Sequence, residues 1–92
     1  MKKLHIIIKR KYFDQILTGE KTEEYRLIKD YWVKKLVNKS YTHIIFQAGY
    51  LKSSPKIEIE FLGYSIKILK HEFFGDDTVC VFAIKLGKIT NA

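Results

Sequence analysis

The sequence predicts a single α+β domain that is small and rich in β-structure, and three observations support this. Residues 4–8 form an apolar, β-branched run of strand length. Two segments within the following thirty residues carry apolar side chains at helical spacing, and from Thr42 onward the pattern becomes that of strands. With 92 residues, the chain is long enough for one domain, 1–92. We therefore expect about five to six strands, with two short helices inserted after the first strand.

The first strand, residues 4–8, is apolar enough to be buried on both faces or nearly so. It runs directly into Lys9-Arg10-Lys11. These three cations have two interpretations. They are either the solvated end of a strand or a rim that faces phosphate groups, and the second is plausible because neighbouring cations concentrate positive potential.

The first helix is predicted over residues 12–18, where Phe13, Ile16 and Leu17 form one apolar stripe. Gly19 follows at the position where helices often end with a left-handed residue. The chain from Glu20 onward therefore leaves the helix.

Residues 21–26 are expected to be extended or turning. In an extended chain, alternate residues share a face, so Glu24 and Arg26 would point the same way. A turn near Thr22 would bring Lys21 to that side as well. Glu20 and Glu23 are expected to be solvated.

The second helix is predicted over residues 31–37, with Asp30 as its N-cap. Trp32 lies on its apolar stripe and is interpreted as a core anchor rather than as a platform for base stacking. Lys34 and Lys35 lie on the opposite face.

Strand patterning then dominates to the end of the chain. The predicted strands are residues 43–47, 56–62, 64–69 and 78–86, and a polar turn is predicted over 71–77. Gly63 and Gly87 interrupt these strands, and strands that bend at glycines suit a β-barrel better than an open sheet.

The composition favours a polyanionic partner. The net charge is +7, and residues 1–39 hold eleven Lys or Arg against five Asp or Glu. The positive surface should therefore be built by the first half of the chain. The alternative is that the lysines only keep a small protein soluble.

Several other site classes have little support. The single cysteine, Cys80, excludes an internal disulfide and is expected to be a small core residue. The three histidines lack the spacing of metal ligands, so no metal and no cofactor are expected. The sequence has no signal-peptide pattern and no apolar run long enough for a membrane span, so we expect no membrane association and a cytoplasmic location.

Lys21, Glu24 and Arg26 form the candidate site. Two cations that flank a carboxylate keep it ionised and can still donate hydrogen bonds to a phosphate or a nucleobase carbonyl. Such a set could also activate a water or a ribose hydroxyl, with Glu24 as the base and Lys21 as the electrostatic stabiliser. The structural alternative is a cluster of surface ion pairs.

The pattern Gly19-x-Lys21-x-x-Glu24-x-Arg26 resembles the G-x-K-x-x-E-x-R signature of ASCH domains. Residues 45–50 and 82–89 also resemble a compact phage- and bacteria-type subgroup of this family. The resemblance implies a PUA-like β-barrel with a cleft that the motif lines, and it implies RNA binding.

The family resemblance also leaves an enzymatic alternative, a small hydrolase of RNA or of a modified nucleoside with Lys21 and Glu24 as catalytic residues. Some ASCH proteins are amidohydrolases of acylated cytidine, but that type carries a threonine where Glu24 stands and uses a glutamate on a later strand. Glu58 and Glu60 are the candidates for that glutamate. For RNA or a nucleotide-like ligand, the predicted binding residues are Lys9, Lys21, Glu24, Arg26, Gln47 and Tyr50.

Overall fold

The computed structural model describes residues 2–70 and 78–91 as an α+β domain with five strands and two helices. In chain order the elements are β1 (Lys3–Ile8), α1 (Arg10–Leu17), β2 (Glu23–Leu27), α2 (Asp30–Leu36), β3 (His43–Ala48), β4 (Lys56–Leu69) and β5 (Val79–Asn91). The turn predicted over 71–77 lies outside the described residues.

All five strands belong to one sheet in the order β1-β3-β4-β5-β2. β1 pairs with β3 in parallel, and every other neighbouring pair is antiparallel. Within the described residues the two edge strands, β1 and β2, do not pair with each other. The prediction of a closed barrel is therefore wrong, and the protein has a single open sheet.

β2 separates the two helices, which the sequence pattern did not predict. Residues 23–27 pair with β5 along their whole length, from Glu23 opposite Lys85 to Leu27 opposite Val81. This short, polar segment lacks an apolar alternation of its own. Its strand conformation comes from hydrogen bonding to a partner almost sixty residues later.

The core lies on one face of the sheet, beneath α1 and α2. β1 is buried on one face only, with Leu4, Ile6 and Ile8 inside and His5 and Ile7 exposed, because the buried cluster covers that face alone. The expectation that both faces of this strand would be buried is wrong. The buried cluster comprises Leu4, Ile6, Ile8, Phe13, Ile16, Leu36, Ile44, Phe46, Ile57, Ile59, Phe82, Ile84 and Leu86.

Both predicted helices are present with shifted ends, but Leu17, a member of the predicted apolar stripe of α1, is 43% exposed. Phe13 and Ile16 are the buried residues of α1, and Gly19 adopts a φ of +83° just beyond its end, as predicted. In α2, Lys29 occupies the N-cap position and Asp30 is the first helical residue, so the predicted N-cap is one residue off. The Asp30 carboxylate in the first turn suits the positive end of the helix.

β4 and β5 are longer than predicted, because neither glycine ends a strand. Gly63 has a φ of +94° within β4, and the register with β5 shifts between Glu58 and Tyr64. Gly87 allows close approach, since a Cβ there would lie 2.8 Å from the Cβ of Glu60. The glycines therefore bend and pack two continuous strands.

Cys80 corrects another expectation, since it is exposed rather than part of the core. It pairs with Ile68, which is 71% exposed, where β4 and β5 extend beyond the core. Neither helix has the length and apolar character needed to cross a membrane in the described part of the chain.

Candidate functional site

A cavity lies where the two edges of the sheet approach the helices. Its volume is about 530 Å³, and it is open to solvent. β1 and β2 both contribute, together with the start of α1, Trp32 of α2 and the loop after β3. The lining residues are Ile7, Ile8, Lys9, Arg10, Tyr12, Lys21, Glu24, Tyr25, Arg26, Leu27, Lys29, Trp32, Ala48, Gly49 and Tyr50. We call this space the Glu24 cavity.

Glu24 anchors two cations in this cavity. Its Oε1 lies 3.1 Å from Lys21 Nζ, and its Oε2 lies 2.6 Å from an Arg26 guanidinium nitrogen. Glu24 is only 5% exposed and is the one buried charged residue of the described chain. The three predicted motif side chains therefore converge, and each carboxylate oxygen pairs with a different cation.

A tight turn after α1 carries Lys21 to this position. The Gly19 amide donates to the Ile16 carbonyl at 3.1 Å, and the Lys21 amide donates to the Gln15 carbonyl at 2.9 Å. The positive φ of Gly19 lets the chain reverse there. Lys21 lies on the same side as Glu24 and Arg26, but the turn that brings it there is at Gly19 and not near Thr22 as predicted.

Aromatic rings surround the two cations. Lys21 Nζ lies 4.9 Å from the centre of the Tyr12 ring and 5.5 Å from that of Tyr25. The Arg26 guanidinium carbon lies 5.0 Å from the centre of the Trp32 ring. These separations fall within the range of cation–π attraction, so the rings help to hold both cations in place.

Trp32 serves the core and the cavity at once. It is partly buried and packs against the buried cluster, as predicted for a core anchor, and it also lines the Glu24 cavity. Arg26 Nε lies buried beside it without a hydrogen-bond partner in the described structure. The guanidinium is therefore held by Glu24 and the indole ring, not by a full set of hydrogen bonds.

The opposite side of β2 carries a second ion pair. Glu23 accepts hydrogen bonds from Lys67 Nζ at 2.8 Å and from the Tyr25 hydroxyl at 3.1 Å. The expectation that Glu23 is solvated is wrong. The hydrogen bond from Lys67 holds the pKa of the Glu23 carboxyl below its ordinary value, and the same bond raises the pKa of Lys67. Burial, followed by the bond to Glu23, raises the pKa of Tyr25.

The remaining predicted binding residues divide into two groups. Lys9 and Tyr50 line the Glu24 cavity, and Tyr50 is 87% exposed. Gln47 does not line it. Its amide donates to the carbonyls of Gly49 at 2.7 Å and Leu51 at 3.1 Å, so it holds the loop that carries Tyr50.

Two later-strand glutamates, the candidates for the acid of the amidohydrolase type, lie outside the cavity. Glu58 pairs with Lys3 at 2.5 Å and accepts a hydrogen bond from Thr90, while Glu60 accepts one from the Lys88 amide at 2.8 Å. Among the described residues, Glu24 is thus the sole carboxylate of the cavity lining.

Tyr12 lines the cavity and contacts one of its cations, but it was not among the predicted binding residues. It lies one residue before the apolar stripe of α1, and its ring faces Lys21. The signal was its position just after Lys9-Arg10-Lys11, but only the turn at Gly19 brings Lys21 back over its ring.

The comparisons with family models, with curated proteins and with solved structures found no match to this chain. The ASCH resemblance therefore rests on the sequence patterns alone, which are the motif and residues 45–50 and 82–89. Within residues 2–70 and 78–91 no three His, Cys, Asp or Glu side chains group together in a way that could hold a metal ion.

Proposed function

We propose that the chain is an ASCH-like RNA-binding module and that the Glu24 cavity holds an unpaired nucleotide of a single-stranded RNA. The observation that carries this proposal is the fixed pair of cations, Lys21 and Arg26, on one buried carboxylate among aromatic rings. Prepositioned cations lose little conformational entropy when they bind an anion.

The charge around the cavity suits a phosphate. Five of its lining residues are basic and one is acidic: Lys9, Arg10, Lys21, Arg26 and Lys29 stand against Glu24. Such an excess attracts a nucleic-acid backbone and makes affinity depend on salt.

The shape and the aromatic lining suit a base. A volume of about 530 Å³ lies in the usual range for small-ligand sites and accommodates one nucleotide. Proteins recognise unpaired RNA bases mainly by stacking them on aromatic side chains. Tyr50, which is largely exposed at the mouth, is the ring best placed to accept a base.

The contacts of Glu24 favour binding over hydrolysis. A general base must direct an oxygen toward a water or a hydroxyl, whereas both Glu24 oxygens are engaged by cations. No second carboxylate shares the cavity in the described part of the chain. Glu24 is therefore assigned the role of positioning Lys21 and Arg26. The proposal relies on the motif geometry and the element order, and it does not require a closed PUA-like barrel.

The direct test is the affinity of Lys21→Ala for a single-stranded RNA of about ten nucleotides, a length within the range that one small domain covers. Loss of one charge-assisted contact should weaken binding by about 10- to 100-fold. Fluorescence polarisation of a labelled oligonucleotide at several salt concentrations measures this change. Lys88→Ala removes the same charge from an exposed position outside the cavity and should retain nearly full affinity.

Product analysis in the same samples separates the two functions that the sequence left open. Wild-type protein is incubated with single-stranded RNA, structured RNA and acylated nucleosides, and the products are resolved by chromatography. Cleavage that Lys21→Ala abolishes would replace the binding proposal with the hydrolase hypothesis. Absence of RNA binding by the wild type even at low salt would overturn the proposal.

A further inference from the structure

A second groove on the protein is lined by lysine and tyrosine alone. Its volume is about 380 Å³, and its lining residues are Lys2, Tyr31, Lys34, Lys35, Lys39 and Tyr41. No acidic side chain lines it in the described part of the chain. We call it the lysine–tyrosine groove.

One face of α2 forms the wall of this groove. Tyr31, Lys34 and Lys35 occupy positions i, i+3 and i+4 of the helix, which places their side chains side by side. Lys39 follows just after the helix. Three of the six lining residues thus share a single rigid element.

Tyr41 gives the groove a fixed ring. Its hydroxyl donates to the Lys35 carbonyl at 2.5 Å, and its ring meets Phe61 edge-on with centroids 5.6 Å apart. Lys2 Nζ lies 5.6 Å from the centre of the same ring. Tyr31, by contrast, is 61% exposed, and Lys35 Nζ lies 5.7 Å from the centre of its ring.

The positive charge of the groove favours the binding of an anion. Four ammonium groups around one groove repel one another, and the tyrosine rings offset this repulsion only in part. A string of phosphates relieves the repulsion, while an exposed ring offers a surface for an unpaired base.

The groove and the Glu24 cavity meet at α2. Trp32 lines the cavity, and its neighbour Tyr31 lines the groove. The two rings contact edge-to-face with centroids 5.2 Å apart. A ligand that leaves the cavity past Trp32 can therefore continue onto the groove across a single turn of helix.

We propose that the lysine–tyrosine groove is a second subsite for the same single-stranded RNA, where its lysines bind the phosphate backbone and Tyr31 stacks on a base. This inference rests on the proposed function. It adds that the RNA contacts the protein over several nucleotides, and not only at the nucleotide in the Glu24 cavity.

The first test compares Lys34→Gln/Lys35→Gln with Lys70→Gln/Lys88→Gln. Both pairs of lysines are exposed, and the second pair lines neither site. Each protein is titrated with UMP and with a single-stranded decamer. Because one phosphate contact on a single strand contributes about 0.7 to the slope of log K against log salt, the groove variant should lower the decamer slope by about 1.4. Its affinity for UMP should stay at the wild-type level.

The second test is Tyr31→Leu, which keeps an apolar side chain on α2 and removes the ring. We expect decamer binding about tenfold weaker at fixed salt, as for one lost base–aromatic stack. Circular dichroism of each variant verifies that the fold is retained.

The outcomes separate the two subsites. Equal decamer affinity and equal salt slope for the groove variant and the Lys70/Lys88 control would overturn the inference and leave the cavity proposal intact. Equal losses for UMP and for the decamer would also overturn it, because the groove would then act as part of the cavity. A loss confined to the groove variant, with Lys21→Ala unaffected, would support the groove as an RNA site and overturn the cavity proposal.

Discussion

Two adjacent glutamates of β2 have opposite surroundings. Glu24 points into the cavity and pairs with Lys21 and Arg26, which lie three and two residues away in sequence. Glu23 points to the other side and pairs with Lys67, which lies 44 residues away. The Glu24 side chain is 6% exposed and the Glu23 side chain 19%.

The difference shows that the sequence distance between a glutamate and its partners decides whether the ion pair can be predicted from sequence. The partners of Glu24 are local in sequence, so the motif spacing and a turn are enough to predict that they can meet. The partner of Glu23 arrives only when β4 and β5 pair and β2 joins their edge. The first cluster can therefore be predicted from sequence, whereas the second cannot.

The largest expected effect comes from Glu24→Ala. This variant leaves Lys21 and Arg26 side by side without their shared anion, and removal of one partner from a buried ion pair is strongly destabilising. We expect the free energy of unfolding to fall by about 3 kcal/mol. Urea denaturation at neutral pH measures the change.

The matched control for Glu24→Ala is Glu23→Ala, which removes the same side chain from the neighbouring position. The Glu23 side chain is more exposed, and water can solvate Lys67, which is 45% exposed, after the change. The free energy of unfolding should therefore fall clearly less for Glu23→Ala than for Glu24→Ala. Equal losses for the two variants would contradict the distinction between the two sides of β2.

A smaller effect is expected for Lys67→Gln, which removes the long-range partner of Glu23. The pair ties β4 to the edge strand β2, so its removal should lower the melting temperature slightly and leave RNA affinity unchanged. Lys70→Gln, an equal change of charge near the end of β4, should leave the melting temperature at its wild-type value. A drop in RNA affinity for Lys67→Gln alone would mean that the two sides of β2 are coupled.

The smallest effect concerns the pH dependence of stability. Because the folded-state pKa of Glu23 is lowered from 4.5, chiefly by the hydrogen bond from Lys67, its contribution is fully present above about pH 4.5. That contribution is lost as the pH falls through the folded-state pKa. The difference in unfolding free energy between wild type and Lys67→Gln should therefore shrink below pH 4.5, as measured by urea titrations from pH 7 to 3. A difference that stays constant over this range would contradict the assignment.

At alkaline pH the sign is reversed for Lys67. Its pKa is raised from 10.5, so its contribution is present below that value and is lost as the pH rises through the folded-state pKa.

The helices and the single-faced apolar patterns of the sheet were largely predictable, because they depend on spacing within a few residues. Phe13 and Ile16 in α1 and Ile57 and Ile59 in β4 are buried as their periodicity indicates. The strand β2 was not predictable from its residues. Its polar sequence satisfies its backbone only through hydrogen bonds to β5.

Two residues, Gln47 and Tyr12, show that membership of the site was also not fully predictable from sequence. Gln47 was expected in the site, but the loop geometry directs its amide to the carbonyls of Gly49 and Leu51. Tyr12 was not expected there, and the turn at Gly19 brings Lys21 over its ring. The direction of a single side chain relative to a cavity depends on the tertiary structure around it, and composition or spacing does not predict it.

The sequence by itself was enough to predict a β-rich α+β domain, the end of α1 at Gly19 and the meeting of Lys21 with Glu24 and Arg26, since the patterns that indicate them lie within short segments of the chain. Tertiary structure alone decided that the sheet stays open, that Glu23 pairs with Lys67, and that the cavity lies between strands from both edges of the sheet. These features require β1, β2 and β4 to be placed relative to one another, and such placement is set by strand order and register rather than by local sequence.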